Sequence, residues 1–282
     1  MASDPLPADL SAMLAARRAE LGEFARTPVF HLQATSTNDV ATCLAATGAH
    51  EGTWVLADEQ VSGRGRRGRA WASPPGAGLY LSVIFRPPPR DPAQAVDRTS
   101  SLLPLTTGVA VAQGIARATG FRPALKWPND VMVPSPADPR DASRWRKLAG
   151  ILAEGWGLGS ELHSIIVGLG INLRPGAYPP DVERRATSLE GELGRPVDRA
   201  TLLGEVLIAL AEGRRLLLEG QSARVLDQWR TFAPSSEGHR VRWRVGEATM
   251  EGVTQGIDES GALLVRTVRG VEPVIAGEVR WS

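Results

Sequence analysis

The sequence predicts an α/β fold in which one main domain mixes strands and helices, and a small β-barrel follows it. Up to about residue 232, short apolar runs typical of strands alternate with longer helical patterns. Beyond residue 235, the pattern changes to short strand-like runs separated by glycine-rich turns. We therefore expect an N-terminal extension (1–28), a main domain (29–234) and a C-terminal β domain (235–282).

The elements of the main domain follow from local patterns. Residues 8–21 favour a short amphipathic helix, and Ser36 or Thr37 stands where its side-chain oxygen can cap a helix over residues 38–46. The other predicted helices span 105–119, 199–218 with Asp198 as its cap, and 222–232. The predicted strands are the apolar runs 53–57, 79–86, 124–127, 130–133, 147–154 and 164–173.

The composition of two further segments predicts an insertion in the main domain and a barrel at the C-terminus. Residues 134–145 are rich in proline, serine and aspartate, which predicts an exposed hairpin insertion. After residue 235, glycines and the turn Asp258–Gly261 separate the runs that we expect to form the barrel. These runs are 239–245, 248–257, 262–267 and 272–281.

Charge and cysteine content exclude several classes of protein. The 32 basic and 31 acidic residues leave a net charge of +1, which disfavours a chain that mainly coats nucleic acid. Cys43 is the only cysteine, so an internal disulfide and a multi-thiolate zinc site are excluded, and its alanine and leucine neighbours predict a buried filler. Without a run of about 18 apolar residues or a signal-peptide pattern, we expect a cytoplasmic protein with no membrane partner.

The segment from Glu59 to Trp71 predicts an anion site. Seven of its residues, Gly63–Arg69, comprise four arginines and three glycines; we call them the arginine loop. Arginine presents a planar fork of donors that matches carboxylate or phosphate oxygens, and glycine lets backbone N–H groups approach the same charge. The alternative is RNA binding, with Trp71, Trp127 or Trp243 stacking on bases. The near-zero net charge and the lack of a repeated basic and aromatic pattern count against it.

Four other motifs accompany the arginine loop, and each by itself has an ordinary explanation as a cap, a turn, a strand or an exposed side chain. They are Ser36–Asn38 (STN), Lys126–Asp130 (KWPND), Arg146–Leu152 (RKLAGIL) and Gly168–Asn172 (GLGIN). In this order and spacing, together with GRGRRGRAW, they resemble the motifs of the biotin protein ligases, also called biotin–acetyl-CoA-carboxylase ligases. The resemblance covers about residues 30–282.

The resemblance implies a fold and a reaction. The fold is a mixed β-sheet flanked by helices, like that of class II aminoacyl-tRNA synthetases, followed by a small SH3-like β-barrel. The reaction joins biotin to ATP, with Mg²⁺ as cofactor, to give biotinoyl-5′-AMP, and then transfers biotin to one lysine of a biotin carboxyl carrier protein. A lipoate or octanoate ligase of the same fold is the nearest alternative, but the dense arginine loop argues against it.

The resemblance also implies roles for individual residues, in a reaction that must bring a carboxylate against a phosphate and therefore needs concentrated positive charge. The catalytic set is Lys147, Arg66 and Asp130, of which Asp130 either helps to hold Mg²⁺ or activates the incoming lysine. The biotin-binding set is Ser36, Thr37, Asn38, Gln60, Gly63, Arg64, Lys147 and Gly150. The set that binds ATP and the adenylate is Arg66, Arg67, Arg69, Trp71, Asn129 and Asn172.

The sequence departs from many bacterial relatives at its start. About 30 residues precede the ligase-like region, too few for the winged helix-turn-helix domain of repressors, so we expect a monofunctional enzyme without a DNA partner. Some relatives dimerise through a sheet edge, and a homodimer stays open for this chain. The insertion at residues 134–145 lies just before Lys147, where it is placed to alter docking of the carrier.

Overall fold

The computed structural model describes residues 3–26, 28–87, 98–158, 161–176, 178, 180–275 and 277–281. Five residues of the predicted terminal segments lie outside this range, namely Met1, Ala2, Thr27, Ala276 and Ser282. The described helices are α1 (Ala8–Ala16), α2 (Arg18–Leu21), α3 (Thr37–Ala46), α4 (Arg98–Ser101), α5 (Leu103–Thr119), α6 (Pro180–Glu183), α7 (Leu189–Leu193), α8 (Arg199–Leu218) and α9 (Ser222–Phe232). None of these helices combines the length and apolarity that crossing a bilayer would require.

The described strands fall into two sheets. Strands of the first sheet are β1 (Pro28–Ala34), β2 (Trp54–Gln60), β3 (Gly78–Phe85), β4 (Ala124–Lys126), β5 (Asp130–Val133), β6 (Arg146–Leu158) and β7 (Glu161–Asn172). They lie in the order β1-β2-β3-β7-β6-β5-β4. β1 is parallel to β2 and the other neighbouring pairs are antiparallel, so the expected α/β fold with a mixed sheet is confirmed.

Helices cover both faces of this sheet. α5 and α8 pack closely on one face, because a Cβ at Gly114 would lie only 2.6 Å from Val206, and one at Gly213 only 2.6 Å from Thr106. On the opposite face, α3 packs in a small cluster made of Ala41, Ala45, Val55, Ile84 and Ile166. The face under α3 also carries the residues described in the next subsection.

The second sheet comprises β8 (Glu237–Val245), β9 (Ala248–Ile257), β10 (Leu263–Thr267), β11 (Gly270–Val274) and β12 (Val279–Trp281). Its order is β11-β10-β9-β8-β12, all antiparallel, so in the described residues the sheet does not close into a hydrogen-bonded barrel. Trp127 Nε1 donates to the Gly261 carbonyl at 2.9 Å and joins this sheet to the main one. The domain boundary at 234/235 stays a prediction.

The beginning of α3 differs in one respect from the expected cap. Ser36 occupies the N-cap position, but its side chain makes no capping hydrogen bond. The backbone N–H of Thr37 instead donates to Oε1 of Gln60 at 2.9 Å. A residue 23 positions away thus supplies the cap, which no local pattern could indicate. The cap that Asp198 was expected to provide for α8 is confirmed, since its Oδ1 accepts from Thr201 N at 2.6 Å.

Three local expectations were wrong. Residues 134–145 form a loop without strands, and Trp145 is buried, with Nε1 donating to the Pro139 carbonyl at 3.0 Å, so this insertion is only partly exposed. Cys43 is exposed because it lies on the outer side of α3. The helix expected over residues 8–21 is interrupted at Arg17.

Candidate active site

The candidate site lies on the face of the main sheet that α3 covers, over a floor of glycine. Gly150 on β6 and Gly170 on β7 are opposite each other in the register, so both point to this face. A Cβ at Gly170 would lie 2.5 Å from Nε1 of Trp71, and one at Gly150 would lie 3.0 Å from Cζ3 of the same ring. The indole lies directly on the sheet because these two positions carry no side chain.

A β-bulge in β6 directs Lys147 towards this floor. Asp130 is opposite Gly150 but Met132 is opposite Lys147, so β6 contains one extra residue, Leu148, which is buried. Side chains alternate between the faces of a strand, and without the bulge Lys147 and Gly150 would point to opposite faces. With the bulge, the Lys147 side chain lies above Gly150, where a Cβ would come within 3.1 Å of Nζ.

The Lys147 ammonium has two described partners. Nζ forms an ion pair of 2.6 Å with Oδ1 of Asp130, and it lies 5.3 Å from the centroid of the Trp71 ring. Because both side chains of the ion pair are about one-third exposed, the pair remains accessible to a ligand. If a ligand anion reaches this pair, the Lys147 ammonium would interact with both the ligand and Asp130.

Asn129 ties the arginine loop to the sheet. Its Nδ2 donates to the Ile151 carbonyl at 2.9 Å and its own carbonyl accepts from Ile151 N at 3.0 Å, which fixes the amide. The remaining Oδ1 accepts from Nη1 of Arg66 at 2.9 Å. Burial, followed by the charge of Arg67, lowers the pKa of the Arg66 guanidinium. Arg66 forms no ion pair with a described residue, so it offers an uncompensated positive charge at the site.

A network of neutral polar groups occupies the other end of the site. Gln60 Oε1 accepts from Thr37 N at 2.9 Å and lies 3.1 Å from Thr37 Oγ1, while its Nε2 donates to Ser73 Oγ at 2.9 Å. Ser82 Oγ donates to Oδ1 of Asn38 at 2.6 Å and lies 2.7 Å from Thr37 Oγ1. These groups hold one another in place, which leaves the site rigid at this end.

The Asn38 amide depends on a glycine of β7. Its Nδ2 donates to Oε2 of Glu154 at 2.6 Å, and the residue is buried. A Cβ at Gly168 would lie 3.0 Å from Asn38 Cγ and 3.2 Å from Nδ2, with Oδ1 closer still. Gly168 and Gly170, two residues apart on one strand, therefore make room for Asn38 and Trp71 respectively.

The other arginines of the loop face carboxylates outside it. Arg64 pairs with Asp39 at 2.6 Å, and Arg69 pairs with Glu278 at 2.7 Å, while Arg67 lies 3.5 Å from the same Glu278. The hydrogen bond from Arg69 holds the pKa of the Glu278 carboxyl below its usual value. Arg67 has a φ of 59°, in the left-handed region that residues other than glycine seldom adopt.

These segments enclose a pocket with about 460 Å³ of empty space, counting the part that is open to solvent. Ten of the predicted site residues line it, namely Ser36, Thr37, Asn38, Gln60, Arg64, Arg66, Trp71, Asn129, Lys147 and Gly150. Asp130 joins them through its ion pair with Lys147. Residues separated by more than 100 positions thus meet at one site.

Besides Asp130, four predicted residues do not line the pocket. Gly63, the first residue of the arginine loop, packs against the backbone of Trp71, where a Cβ would be 2.5 Å from the carbonyl oxygen. Arg67 and Arg69 point to the C-terminal sheet. Asn172 is buried, and its Nδ2 donates to the Thr187 carbonyl at 2.9 Å.

Several residues that shape the site had no predicted role of their own, although some of them belong to the motifs RKLAGIL and GLGIN. Gly168, Gly170, Ile151, Leu152 and Leu169 line the pocket, and Ser82 and Glu154 hold Asn38. One available signal was the spacing of Gly168 and Gly170, because glycines two apart in a strand leave space on a single face. Ser82 and Glu154 gave no comparable local signal.

Two family models match the chain: Biotin/lipoate A/B protein ligase family over residues 29–172, and Biotin protein ligase C terminal domain over residues 238–280. The chain is 32% identical over 253 residues to the bifunctional ligase/repressor BirA of Bacillus subtilis, covering 89% of this chain and 73% of that relative. It is 34% identical over 255 residues to the biotin–[acetyl-CoA-carboxylase] ligase of Paracoccus denitrificans, covering 86% of this chain and 96% of the relative.

Solved structures show the same similarity. The biotin protein ligase from Aquifex aeolicus in complex with biotin and ATP superposes with a TM-score of 0.73 at 28% identity, covering 91% of this chain and 99% of that one. The biotin protein ligase from Leishmania major in complex with biotinyl-5-AMP gives a TM-score of 0.58 at 24% identity, over 89% and 99% of the two chains. The second comparison is evidence for the fold alone.

Proposed function

The chain belongs to the Biotin/lipoate A/B protein ligase family and is a biotin protein ligase, and from this premise we propose how its site works on biotin and ATP. In the first half-reaction, a carboxylate oxygen of biotin attacks the α-phosphorus of ATP, the bond to the β-phosphate breaks, and pyrophosphate leaves. The biotinoyl-5′-AMP that forms then gives its biotinoyl group to the amine of one lysine on a biotin carboxyl carrier protein, and AMP leaves.

One observation carries the proposal: a single pocket is neutral and hydrogen-bonding at one end and cationic at the other. Biotin has the same division, since a neutral ureido ring is joined by an apolar chain to a carboxylate. Such a ligand requires an apolar wall with a few fixed polar partners. We assign the ureido ring to the end that holds Ser36, Thr37, Asn38 and Gln60, and the carboxylate to the end that holds Lys147.

The cationic end supplies the charge that the first half-reaction requires. Two anions must approach each other, and charge develops on the phosphate oxygens in the transition state. Arg66 forms no ion pair with a described residue, and Lys147 is paired with the Asp130 carboxylate; both are placed to meet that charge. Their proposed role is electrostatic and positional, without a covalent intermediate on lysine.

Trp71 and the arginine loop form the proposed cover of the adenylate. The mixed anhydride is labile, and an indole that lies on Gly150 and Gly170 keeps water away from that part of the pocket. Arg64 and Asn129 extend the polar contacts along the loop side. The proposed adenine contact of Asn172 requires its amide to leave the Thr187 carbonyl, to which Nδ2 donates at 2.9 Å.

Mg²⁺ is the proposed cofactor, and Asp130 is the residue that would hold it. In the described residues no group of three or more acidic, histidine or cysteine side chains is arranged as a metal cage. A single carboxylate is still compatible with Mg²⁺, which in nucleotide sites takes most of its ligands from phosphates and water. When bound, the ion would neutralise phosphate oxygens. Asp130 has one oxygen engaged with Lys147, which leaves the other available.

The remaining proposals concern the setting of the reaction. The acceptor is a carrier domain of acetyl-CoA carboxylase or a related biotin enzyme, and Asp130 is one candidate for activating its lysine amine. We propose the cytoplasm as the location, where ATP and newly made carriers are available. A homodimer stays an alternative to the monomer.

The experiment that tests the function is a single incubation of the pure protein with biotin, MgATP and a carrier domain, followed by mass spectrometry. We expect one biotinoyl addition, confined to the acceptor lysine, and none on a carrier in which that lysine is arginine. Replacing biotin with lipoate or octanoate should give no addition. A modified carrier with either of those acids, or none with biotin, would contradict the proposal.

A further inference from the structure

Lys126 is a cation that the assigned site residues leave unexplained. It is one of only two lysines among the 32 basic residues of the chain, and the other is Lys147. Arginine is therefore used at every other basic position, including exposed ones where either residue would serve. Lysine differs from arginine in carrying a compact point charge on a flexible stem, which suits a mobile phosphate. The two exceptions are near each other in the fold.

The register of the sheet places Lys126 beside the site. Lys126 on β4 is opposite Asp130 on β5, and Asp130 is opposite Gly150 on β6. Directly opposed residues point to the same face, and neighbouring strands are about 4.8 Å apart. Lys126 and Lys147 therefore approach Asp130 from different strands on one face of the sheet, and their charges influence each other.

The ammonium of Lys126 makes no direct ion pair in the described part of the chain, although the charges of Asp130 and Glu278 act on it. It forms no ion pair or hydrogen bond with any residue that the structure describes, and its described partner is the ring of Trp281, 4.6 Å from Nζ to the centroid. Trp281 is buried and fixed by a hydrogen bond from Nε1 to the Ser235 carbonyl at 3.1 Å. Burial lowers the pKa of Lys126, and the nearby carboxylates of Asp130 and Glu278 oppose that shift without forming an ion pair with the ammonium.

We propose that Lys126 binds the departing pyrophosphate, and this inference rests on the proposed function. In-line displacement requires the attacking oxygen and the leaving group on opposite sides of the α-phosphorus. Biotin enters from the side of α3 and Gln60, and Lys147 lies at the reacting centre, so the leaving group extends towards β4. Lys126 is there to receive the negative charge that pyrophosphate gains when its bond to the α-phosphorus breaks.

The test separates the two half-reactions in the full-length protein and first requires that the parent enzyme releases pyrophosphate only when biotin is present. Lys126→Met keeps the apolar stem and removes the charge. We expect it to lower the rate of pyrophosphate release by about 100-fold and to raise KM for ATP, because losing one charge-stabilising donor typically costs 10²–10³ in rate. Transfer from preformed biotinoyl-5′-AMP to the carrier should stay within about twofold of the parent, since pyrophosphate takes no part in it.

Two further measurements exclude a purely structural role. Inhibition by added pyrophosphate should be about tenfold weaker in Lys126→Met than in the parent. Lys126→Arg should release pyrophosphate about tenfold faster than Lys126→Met, because it restores a cation. The matched control is Arg122→Met, which removes another cation that lies over an aromatic ring. Arg122 lies 4.6 Å from the ring centroid of Phe232 in α9, outside the site. This variant should leave both half-reactions at the parent's rate.

Some results would overturn the proposal. If Lys126→Met lowered the rates of both half-reactions equally, the role of Lys126 would be structural only. Unchanged pyrophosphate release and unchanged inhibition by pyrophosphate would remove it from the reaction altogether. If the parent enzyme itself released no pyrophosphate, the proposed function would fail before Lys126 is tested.

Discussion

Gly168→Ala tests the packing that holds the polar end of the site. The new methyl group would overlap the Asn38 amide, whose Cγ lies 3.0 Å and Nδ2 3.2 Å from the Cβ position. Backbone strain is not involved, because Gly168 is not among the residues with positive φ. The amide must move, and it can move only by giving up its hydrogen bonds to Ser82 and Glu154.

The magnitude follows from those two bonds. A neutral hydrogen bond contributes about 1 kcal/mol and one to a charged group about 1.5–3 kcal/mol. Because the Glu154 side chain is 39% exposed, the lower end of the second range applies. The sum is about 2–3 kcal/mol, and for a chain of this size each kcal/mol lowers Tm by about 2–4 °C. We therefore expect Gly168→Ala to lower Tm by about 4–12 °C and to weaken biotin binding.

A double-mutant cycle gives the sharper assay. Urea unfolding, followed by tryptophan fluorescence, is measured for the parent, Gly168→Ala, Asn38→Ala and the double variant. In the Asn38→Ala background the space beside Gly168 is empty, so the second substitution should cost less than about 0.5 kcal/mol. The coupling energy should therefore be about 2 kcal/mol. Additive single effects, or a Gly168→Ala variant as stable as the parent, would refute the reasoning.

Three other substitutions test separate parts of the structure. Lys147→Met should slow biotin-dependent pyrophosphate release by at least about 100-fold, because the developing charge loses its nearest cation; a near-normal rate would exclude this role. Arg66→Gly removes the bond to Asn129 and should increase nonspecific lysine biotinylation of added bystander protein, and leakage at the parent's level would contradict retention by the loop. Gly108→Ala should stabilise α5 by about 1 kcal/mol, because the new Cβ would meet Leu125 at an ordinary 3.5 Å, and a lower Tm would contradict that.

Local patterns were enough to predict six of the seven strands described for the main sheet and the four longest described helices, but not the order of the strands. The strands are apolar runs bounded by turns. Asp198, which precedes α8, caps that helix with its side chain as predicted. The exposure of the insertion was misjudged because composition does not reveal that Ala142 and Trp145 are buried, with Trp145 donating to the Pro139 carbonyl. Composition averages over a segment, whereas burial is decided residue by residue.

The site could be predicted only as a set of motifs, because its geometry depends on contacts that are distant in sequence. The bulge at Leu148 decides which face Lys147 occupies, and the alternation of apolar residues in RKLAGIL does not reveal it. Ser36 or Thr37 was expected to cap α3, but the Ser36 side chain makes no capping bond, and Gln60 accepts from the N–H of Thr37 instead. Arg69 reaches across 209 positions to Glu278. A one-dimensional pattern can indicate that a side chain is functional, but the partner that orients it must be found in the fold.

The carboxylate partners explain how an arginine-rich loop coexists with a net charge of +1. In the pairs Arg64 with Asp39 and Arg69 with Glu278, every side chain is at least 30% exposed, and such pairs contribute only about 0–1 kcal/mol. A phosphate or carboxylate ligand can therefore replace the carboxylate of Asp39 or Glu278 at little cost in free energy. Arg66 is different, because its described hydrogen-bond partner is the neutral amide of Asn129, and Asp130 acts on it only through its charge and not through an ion pair. Arg64 and Arg69 are thus paired with carboxylates, whereas Arg66 has no ion pair with a described residue and lines the same pocket as Lys147, so the attraction for anions is strongest within that pocket.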